Sequence, residues 1–251
     1  MQCIDAHRVD GPNPAAGVNL GPLSLMRQRV AALYVADRQR RLIEVNQWDG
    51  GIAPRFHLLR TREGCFWRFR HDVPERLAAA IGELAAREPP LDDPRAAPTY
   101  RDAYHRLLAD GAPIEADWSG PAYGFAQLPS APDPDVVAIG SSNAELLRPL
   151  LEDWLPDVPF RQPFLALVQD GVAVSVCASV RISATAHEAG VATAPGWRRR
   201  GLATRAVSAW SAAVHARGAT PFYSTSWDNV ASQSVARALG LILLGTDYHI
   251  R

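Results

Sequence analysis

The chain has 251 residues, 47% hydrophobic and 21% charged, with 26 basic and 26 acidic side chains and a formal net charge of zero. That composition belongs to a folded globular protein and excludes a disordered chain, and the length suits one large domain or two modest ones. Without net charge there is no global field to draw the protein to nucleic acid or to an anionic membrane, so any anion must be bound locally. Arginine supplies every basic side chain other than histidine, and lysine is absent. The three cysteines, Cys3, Cys65 and Cys177, are far apart and show no C-x-x-C spacing. An odd count without a secretory pattern at the N-terminus predicts a reducing, cytoplasmic setting. No apolar run approaches the roughly 18 residues of a membrane span.

In chain order, residues 1–20 are expected to be a flexible lead-in. Residues 21–127 then read as an N-terminal α+β domain. Leu25–Val35 has the pattern of a short helix, and "RRLIEVNQWDG" that of a strand ending at a D-G turn. "PRFHLLRTREGCFWRFRHDVP" predicts two strands around Arg62–Gly64; Cys65, Trp67 and Phe69 alternate with Phe66, Arg68 and Arg70, the pattern of a half-buried strand. Pro74 opens a helix with Leu77, Ile81 and Leu84 on one face, and a second helix covers Tyr100–Leu108. The Pro/Asp-rich stretch 128–134 reads as a linker to a second domain, residues 135–251.

In that second half "DVVAIG" predicts a strand and "SSNAELLRPLLEDWLPD" a helix with a Ser/Asn cap. Asp170-Gly171 marks a hairpin within "FLALVQDGVAVSVCASVRI". "TAHEAGVAT" is a strand, followed by "APGWRRRGLATR" and a helix with Leu202, Ala206, Trp210 and Ala213 on its apolar side, closed by Gly218. "PFYSTS" is a strand, "WDNVASQSVARALG" a helix capped by Asp228 or Asn229, and "LILLGTDYHI" the last strand.

A strand, a turn with small residues and a helix start make a phosphate cradle, because the first helical N–H groups are unpaired and carry partial positive charge. Gly201 and Ala203 are small at alternate positions and Thr204 adds a hydroxyl. The turn is neither G-x-x-x-x-G-K-[ST] nor G-x-G-x-x-G, which removes the ATP and dinucleotide readings. It fits R/Q-x-x-G-x-G/A, filled by Arg198, Arg199, Arg200, Gly201, Leu202 and Ala203. Downstream, Asn229, Ser232, Val235 and Gly240-Leu241 fit N-x-x-S-x-x-V followed by G-F/L.

On these motifs, in this order, the region from about Asp135 to Arg251 resembles the GNAT superfamily of acyl-CoA-dependent N-acetyltransferases. The resemblance implies an α/β fold in which a mixed central sheet is flanked by helices, here with an added N-terminal α+β domain. It implies acetyl-CoA as co-substrate, with its pyrophosphate on Arg198–Thr204 and its pantetheine arm along the main chain of Val191, Ala192 and Thr193. Asn229 and Ser232 fall at further cofactor positions. No metal is expected.

Acetyl transfer to a primary amine requires a neutral nucleophile, hence a proton acceptor. Glu188 and His187 are the candidates, and as strand neighbours they point to opposite faces. A gapless match to the family pattern favours His187, whereas a bulge at Gly190 would favour Glu188, the preferred assignment. The resemblance also implies an oxyanion donor in the N–H of Val191. Ala236 stands where many members carry a tyrosine acid; Ser232, Ser234 or Tyr223 are the available hydroxyls. A small-molecule amine is the expected acceptor, with no nucleic-acid or membrane partner, and no feature sets an oligomeric state. The alternatives are a protein N-terminal or lysine acetyltransferase and a non-catalytic acyl-CoA sensor. Glu152, Asp153 and Asp157 would suit a cationic acceptor, and Trp48, Phe66, Trp67 and Phe69 an acceptor-site wall.

Overall fold

A computed structural model describes residues 20–127 and 133–251. The lead-in up to residue 19 and residues 128–132 of the linker lie outside the described residues. Helix α1 (Pro22–Leu33) begins with proline, whose missing N–H falls where a helix leaves donors unpaired anyway. β1 (Tyr34–Ala36) and β2 (Leu42–Val45) pair as a two-stranded ribbon. β3 (Phe56–Thr61) and β4 (Gly64–Phe69) form the predicted hairpin, followed by α2 (Glu75–Ala85), α3 (Arg101–Ala109) and β5 (Asp117–Gly124).

The second half runs β6 (Val136–Ala138), α4 (Arg148–Leu151), β7 (Phe164–Gln169), β8 (Val172–Ile182) and β9 (Ala186–Thr193). It ends with α5 (Leu202–His215), β10 (Thr220–Ser224), α6 (Val230–Ala238) and β11 (Ile242–Ile250). The helix expected at 141–157 is instead α4 between two 3-10 segments, with Pro149 at its start and Pro156 inside the second segment. Each proline lacks the N–H that would continue the helical ladder.

One nine-stranded sheet, in the order β4-β3-β11-β5-β10-β9-β8-β7-β6, takes strands from both halves of the chain. The break at 128–134 therefore divides the sequence but not the sheet. β5, the one strand of this sheet that the sequence pattern did not announce, lies between β10 and β11 and runs antiparallel to both. β10 and β11 consequently point the same way, connected by a crossover through α6, and β5 supplies the pairing edge between them.

β3 and β4 are also not half-buried: of their twelve residues only Arg68 is more than marginally exposed. One face carries Phe56, Leu58, Trp67 and Phe69 into a cluster with Ile81, Tyr104 and Leu108 of α2 and α3. The other carries Leu59 and Phe66 against Leu23, Met26 and Val30 of α1. The rest of the sheet is likewise covered on both faces. Leu202, Ala206, Val207 and Trp210 of α5 pack on one, and Leu147, Leu151 and Val158 of the α4 segment on the other.

Candidate active site

β9 and β10 are parallel partners only over Ala186–Glu188 and Thr220–Phe222. β9 continues to Thr193 paired with β8 alone, which leaves its other edge open from Ala189 onward. The open edge runs directly into the turn that begins α5. Val191, Ala192 and Thr193 thus all lie on the unpaired stretch, and Arg198 Nε folds back to donate to Thr193 O at 3.2 Å.

The turn itself is a 3-10 segment, Pro195–Trp197, followed by exposed Arg198, Arg199, Arg200 and Gly201. Arg199 (φ 62°) and Gly201 (φ 73°) are both in the left-handed region. Gly201 is followed at once by the right-handed start of α5, a left-then-right pair that turns successive N–H groups toward one concavity. The first bond of the helix is Arg205 N to Gly201 O at 3.2 Å, so the N–H groups of Leu202, Ala203 and Thr204 precede the ladder. A Cβ on Gly201 would meet no protein atom within 4 Å. The space over the helix N-terminus is therefore kept clear. Arg200 lies over the Trp197 ring at 4.8 Å, and none of the three arginines has a carboxylate partner among the described residues.

Glu188 and His187 face opposite sides of the sheet. His187 points toward α5, with Nδ1 2.8 Å from Ser179 Oγ, which in turn accepts from Trp210 Nε1 at 3.0 Å. Indole N–H can only donate, so the Ser179 hydrogen is free to point at Nδ1. Burial, then the charge of Arg217, lowers the His187 pKa, which keeps the ring neutral in the core.

Glu188 points toward α1. It accepts from Arg29 Nε (2.7 Å) and Nη2 (3.3 Å) and from Ser224 Oγ (2.5 Å). Arg29 Nη1 donates to Asp247 at 2.5 Å, and His57 Nε2 lies 3.3 Å from the other Asp247 oxygen. Burial works against these charges. Asp247 and Glu188 nevertheless raise the Arg29 pKa, and Arg29 and His57 hold Asp247 well below the usual carboxylate range. The sequence held one signal for this network, a charged residue on the apolar stripe Met26–Val30 of α1 and another inside the apolar strand β11.

The bulge looked for at Gly190 lies in the partner strand. β8 carries the extra residue, Val180, between Ser179 and Arg181. A Cβ on Gly190 would overlap Val180 Cγ1, so the glycine accommodates the bulge across from it.

Across the opening, Asn229 caps α6 by accepting from Ser232 N at 3.0 Å. Ser232 Oγ lies 2.6 Å from Tyr223 Oη of β10. Burial, offset in part by that hydrogen bond, pushes the Tyr223 pKa up to about 12. Ala236 is one turn beyond Ser232 and packs in the same cluster as Tyr223. Ser234, by contrast, is exposed and donates to Val230 O.

A cleft of about 1050 Å³ opens on the α1 side, reaching Arg29, Arg181 and Asp247 below a rim that includes Ile43 and Ile52. Arg181 is the in-register partner of Glu188 on β8. A smaller cleft of about 430 Å³ lies beside Thr204 and Ser208 of α5 and Leu239 near the end of α6.

Two of the three acidic residues read as candidates for a cationic acceptor, Glu152 and Asp157, are occupied. Glu152 pairs with Arg148, while Asp157 accepts from Trp48 Nε1 and pairs with Arg161. Trp48 stacks on Phe160 at the surface, whereas Phe66, Trp67 and Phe69 are core. Trp227 lies under Arg95 at 4.7 Å. Among the described residues no group of His, Cys, Asp and Glu is arranged to hold a metal, and no helix is long and apolar enough to cross a membrane.

Residues 164–249 match the family model of the GNAT acetyltransferases. No curated protein matches the sequence. Similar solved structures include a protein from Novosphingobium aromaticivorans assigned to the GNAT acetyltransferases (22% identity, TM-score 0.47, 55% of this chain and 65% of that one). Another is a GCN5-related N-acetyltransferase-like protein from Streptococcus suis (20% identity, TM-score 0.45, 92% of this chain and 100% of that one). A third is an aminoglycoside N-acetyltransferase in complex with CoA (23% identity, TM-score 0.36, 42% of this chain and 90% of that one).

Proposed function

Starting from a C-terminal half that carries a GNAT acetyltransferase domain, we propose that the protein transfers an acetyl group from acetyl-CoA to a primary amine of a small molecule, by direct attack in a ternary complex. The observation that carries this reading is the opening of β9 away from β10 just past Glu188, ending on a helix N-terminus that holds no protein atom over Gly201. Backbone donors at that helix and three unpaired arginines suit a pyrophosphate, and the free edge of Val191–Thr193 suits an extended pantetheine arm.

The bound co-substrate supplies an activated acyl thioester. Glu188 takes the proton of the attacking amine; its Oε2, which accepts only from Arg29 Nε, retains a lone pair, and an ordered water can relay the proton. His187 faces the core and shapes the strand. The N–H of Val191 faces the charge that develops on the acyl oxygen. Tyr223, through Ser232, supplies the proton for the departing thiolate in place of a tyrosine at Ala236. The zero net charge supports a small acceptor over a nucleic acid.

Thiol release from acetyl-CoA against a panel of amines tests the reading. We expect turnover with the wild type and a loss of about 10²-fold or more in Glu188→Gln. CoA binding without turnover on any amine would make the protein a sensor, and absence of CoA binding would sink both readings.

A further inference from the structure

The cleft on the α1 side contains one partly buried arginine that has no ion-pair partner among the described residues; Arg251, also on its lining, is exposed. Arg29 is shared between Glu188 and Asp247. Arg55 is consumed by the carbonyls of Leu108, Ala112 and Pro113. Arg70 is held by Asp72 and by Ala53 O. Arg181, on β8, makes a single bond, from Nη1 to its neighbour's carbonyl at Val180, 2.7 Å away. No carboxylate lies within ion-pair distance of it among the described residues.

Its surroundings sharpen the point. Arg181 is partly buried, and burial followed by the like charge of Arg161 lowers its pKa, against the weaker pull of Glu188, Tyr34 and Asp49. A desolvated cation without a counter-ion is a cost that a protein keeps only where something else supplies the anion. A second unsatisfied polar group faces the same cleft: His57 is fully buried, and its Nδ1 has no hydrogen-bond partner.

Position completes the argument. Arg181 and Glu188 are cross-strand partners in an antiparallel pair, so their side chains leave the same face of the sheet side by side. An acceptor whose amine is directed at Glu188 from this cleft approaches the sheet face that also carries the Arg181 guanidinium. Guanidinium matches the planar, two-oxygen face of a carboxylate, or two oxygens of a phosphate.

We propose that Arg181 is the anchor of the acceptor site and that the acceptor is a small amine carrying an anionic group, a carboxylate or a phosphate, a few bonds from its nitrogen. This rests on the acetyltransferase reading above and narrows it away from polycationic amines. Glu145, Glu152 and Asp157 near the α4 segment already have internal partners, which agrees with that direction.

The experiment pairs ligands that differ only in the anion: an α-amino acid against its amide, and phosphoethanolamine against ethanolamine. Acetylation is followed by thiol release, and binding of the same compounds by calorimetry in the presence of CoA. A charge-assisted bond at Arg181 predicts that one of the two anionic amines has a KM roughly 10- to 100-fold below that of its neutral counterpart. Whichever pair shows the gap identifies carboxylate or phosphate.

Arg181→Gln should erase the gap by raising KM for the anionic amine with kcat little changed, and should leave the neutral amine within about threefold. Arg181→Lys should restore part of it. Equal use of charged and neutral amines by the wild type, or an Arg181→Gln loss that is the same for both, overturns the assignment while leaving acetyl transfer intact. If no amine is acetylated, calorimetric binding of the anionic compounds still decides: no binding, or binding indifferent to Arg181→Gln, overturns it. Failure of CoA itself to bind is the separate signature that the underlying reading is at fault.

Discussion

Replacing Arg29 by methionine removes the one cation that joins two buried carboxylates. Arg29 is 2% exposed, Glu188 4% and Asp247 3%, so neither acid can recover its lost partner from water. Removing one member of a buried ion pair costs roughly 3–5 kcal/mol, because the partner is left charged in a low-dielectric site. For a chain of this size each kcal/mol lowers the melting temperature by about 2–4 °C, so the variant should melt roughly 6–20 °C lower. The loss has a pH signature. Arg29 holds the Asp247 pKa below its ordinary value, so this acid stabilises the wild type above the usual aspartate range, near 4, and stops doing so as pH falls through its folded value. The variant has no such contribution, and its deficit should be greatest near neutrality and shrink on acidification. Urea unfolding of wild type, Arg29→Met, Arg29→Lys and the triple variant Arg29→Met/Glu188→Gln/Asp247→Asn provides the assay. Lysine keeps the charge but cannot span three bonds to two acids, and should fall between. The triple variant removes the uncompensated charge and should recover most of the loss. A deficit under about 1 kcal/mol, or a triple variant no more stable than Arg29→Met, would refute the account of this network as a buried, mutually dependent unit.

Gly201→Val should leave the fold intact, since its Cβ meets no protein atom; the left-handed backbone costs about 1–2 kcal/mol and the side chain enters the phosphate space. CoA affinity by calorimetry should drop at least about tenfold, whereas Arg199→Ala should weaken it only a few-fold, and an unchanged Gly201→Val affinity would remove the phosphate turn. Gly190→Ala drives a methyl into Val180 and should cost about 1–3 kcal/mol of stability, recovered by adding Val180→Ala; a neutral Gly190→Ala speaks against the packed bulge. Burial, with His57 adding to it, holds the His249 pKa down to about 4, so the unfolded chain takes up that proton first. Stability should therefore fall as pH drops from about 6.5 toward 4, by up to about 3 kcal/mol from this group, and His249→Gln should flatten that limb of the urea-midpoint profile.

Much of the second half was legible without coordinates because its signals are local. The Asp170-Gly171 hairpin, the glycine turn before α5, and the Asn229 cap each depend on a few adjacent residues, and all fall where the sequence puts them. The helix at 141–157 misled because its apolar spacing is helical while Pro149 and Pro156 interrupt the hydrogen-bond ladder. The opposition of His187 and Glu188 follows from strand alternation alone. Which of them faces the core does not: it depends on where α5 and α1 pack, and those are long-range contacts.

A strand that runs into a small-residue turn and a helix N-terminus can be read from adjacent residues, and it carries the family resemblance. Packing put β5, from the other half of the chain, into the sheet between β10 and β11. It alone brought Arg29, Arg181, Glu188 and Asp247 to one face from α1, β8, β9 and β11. The physical reason is range. Turns and caps are written in neighbouring residues, whereas a charge network assembled across 218 positions of chain, from Arg29 to Asp247, leaves only isolated charges in otherwise apolar stretches.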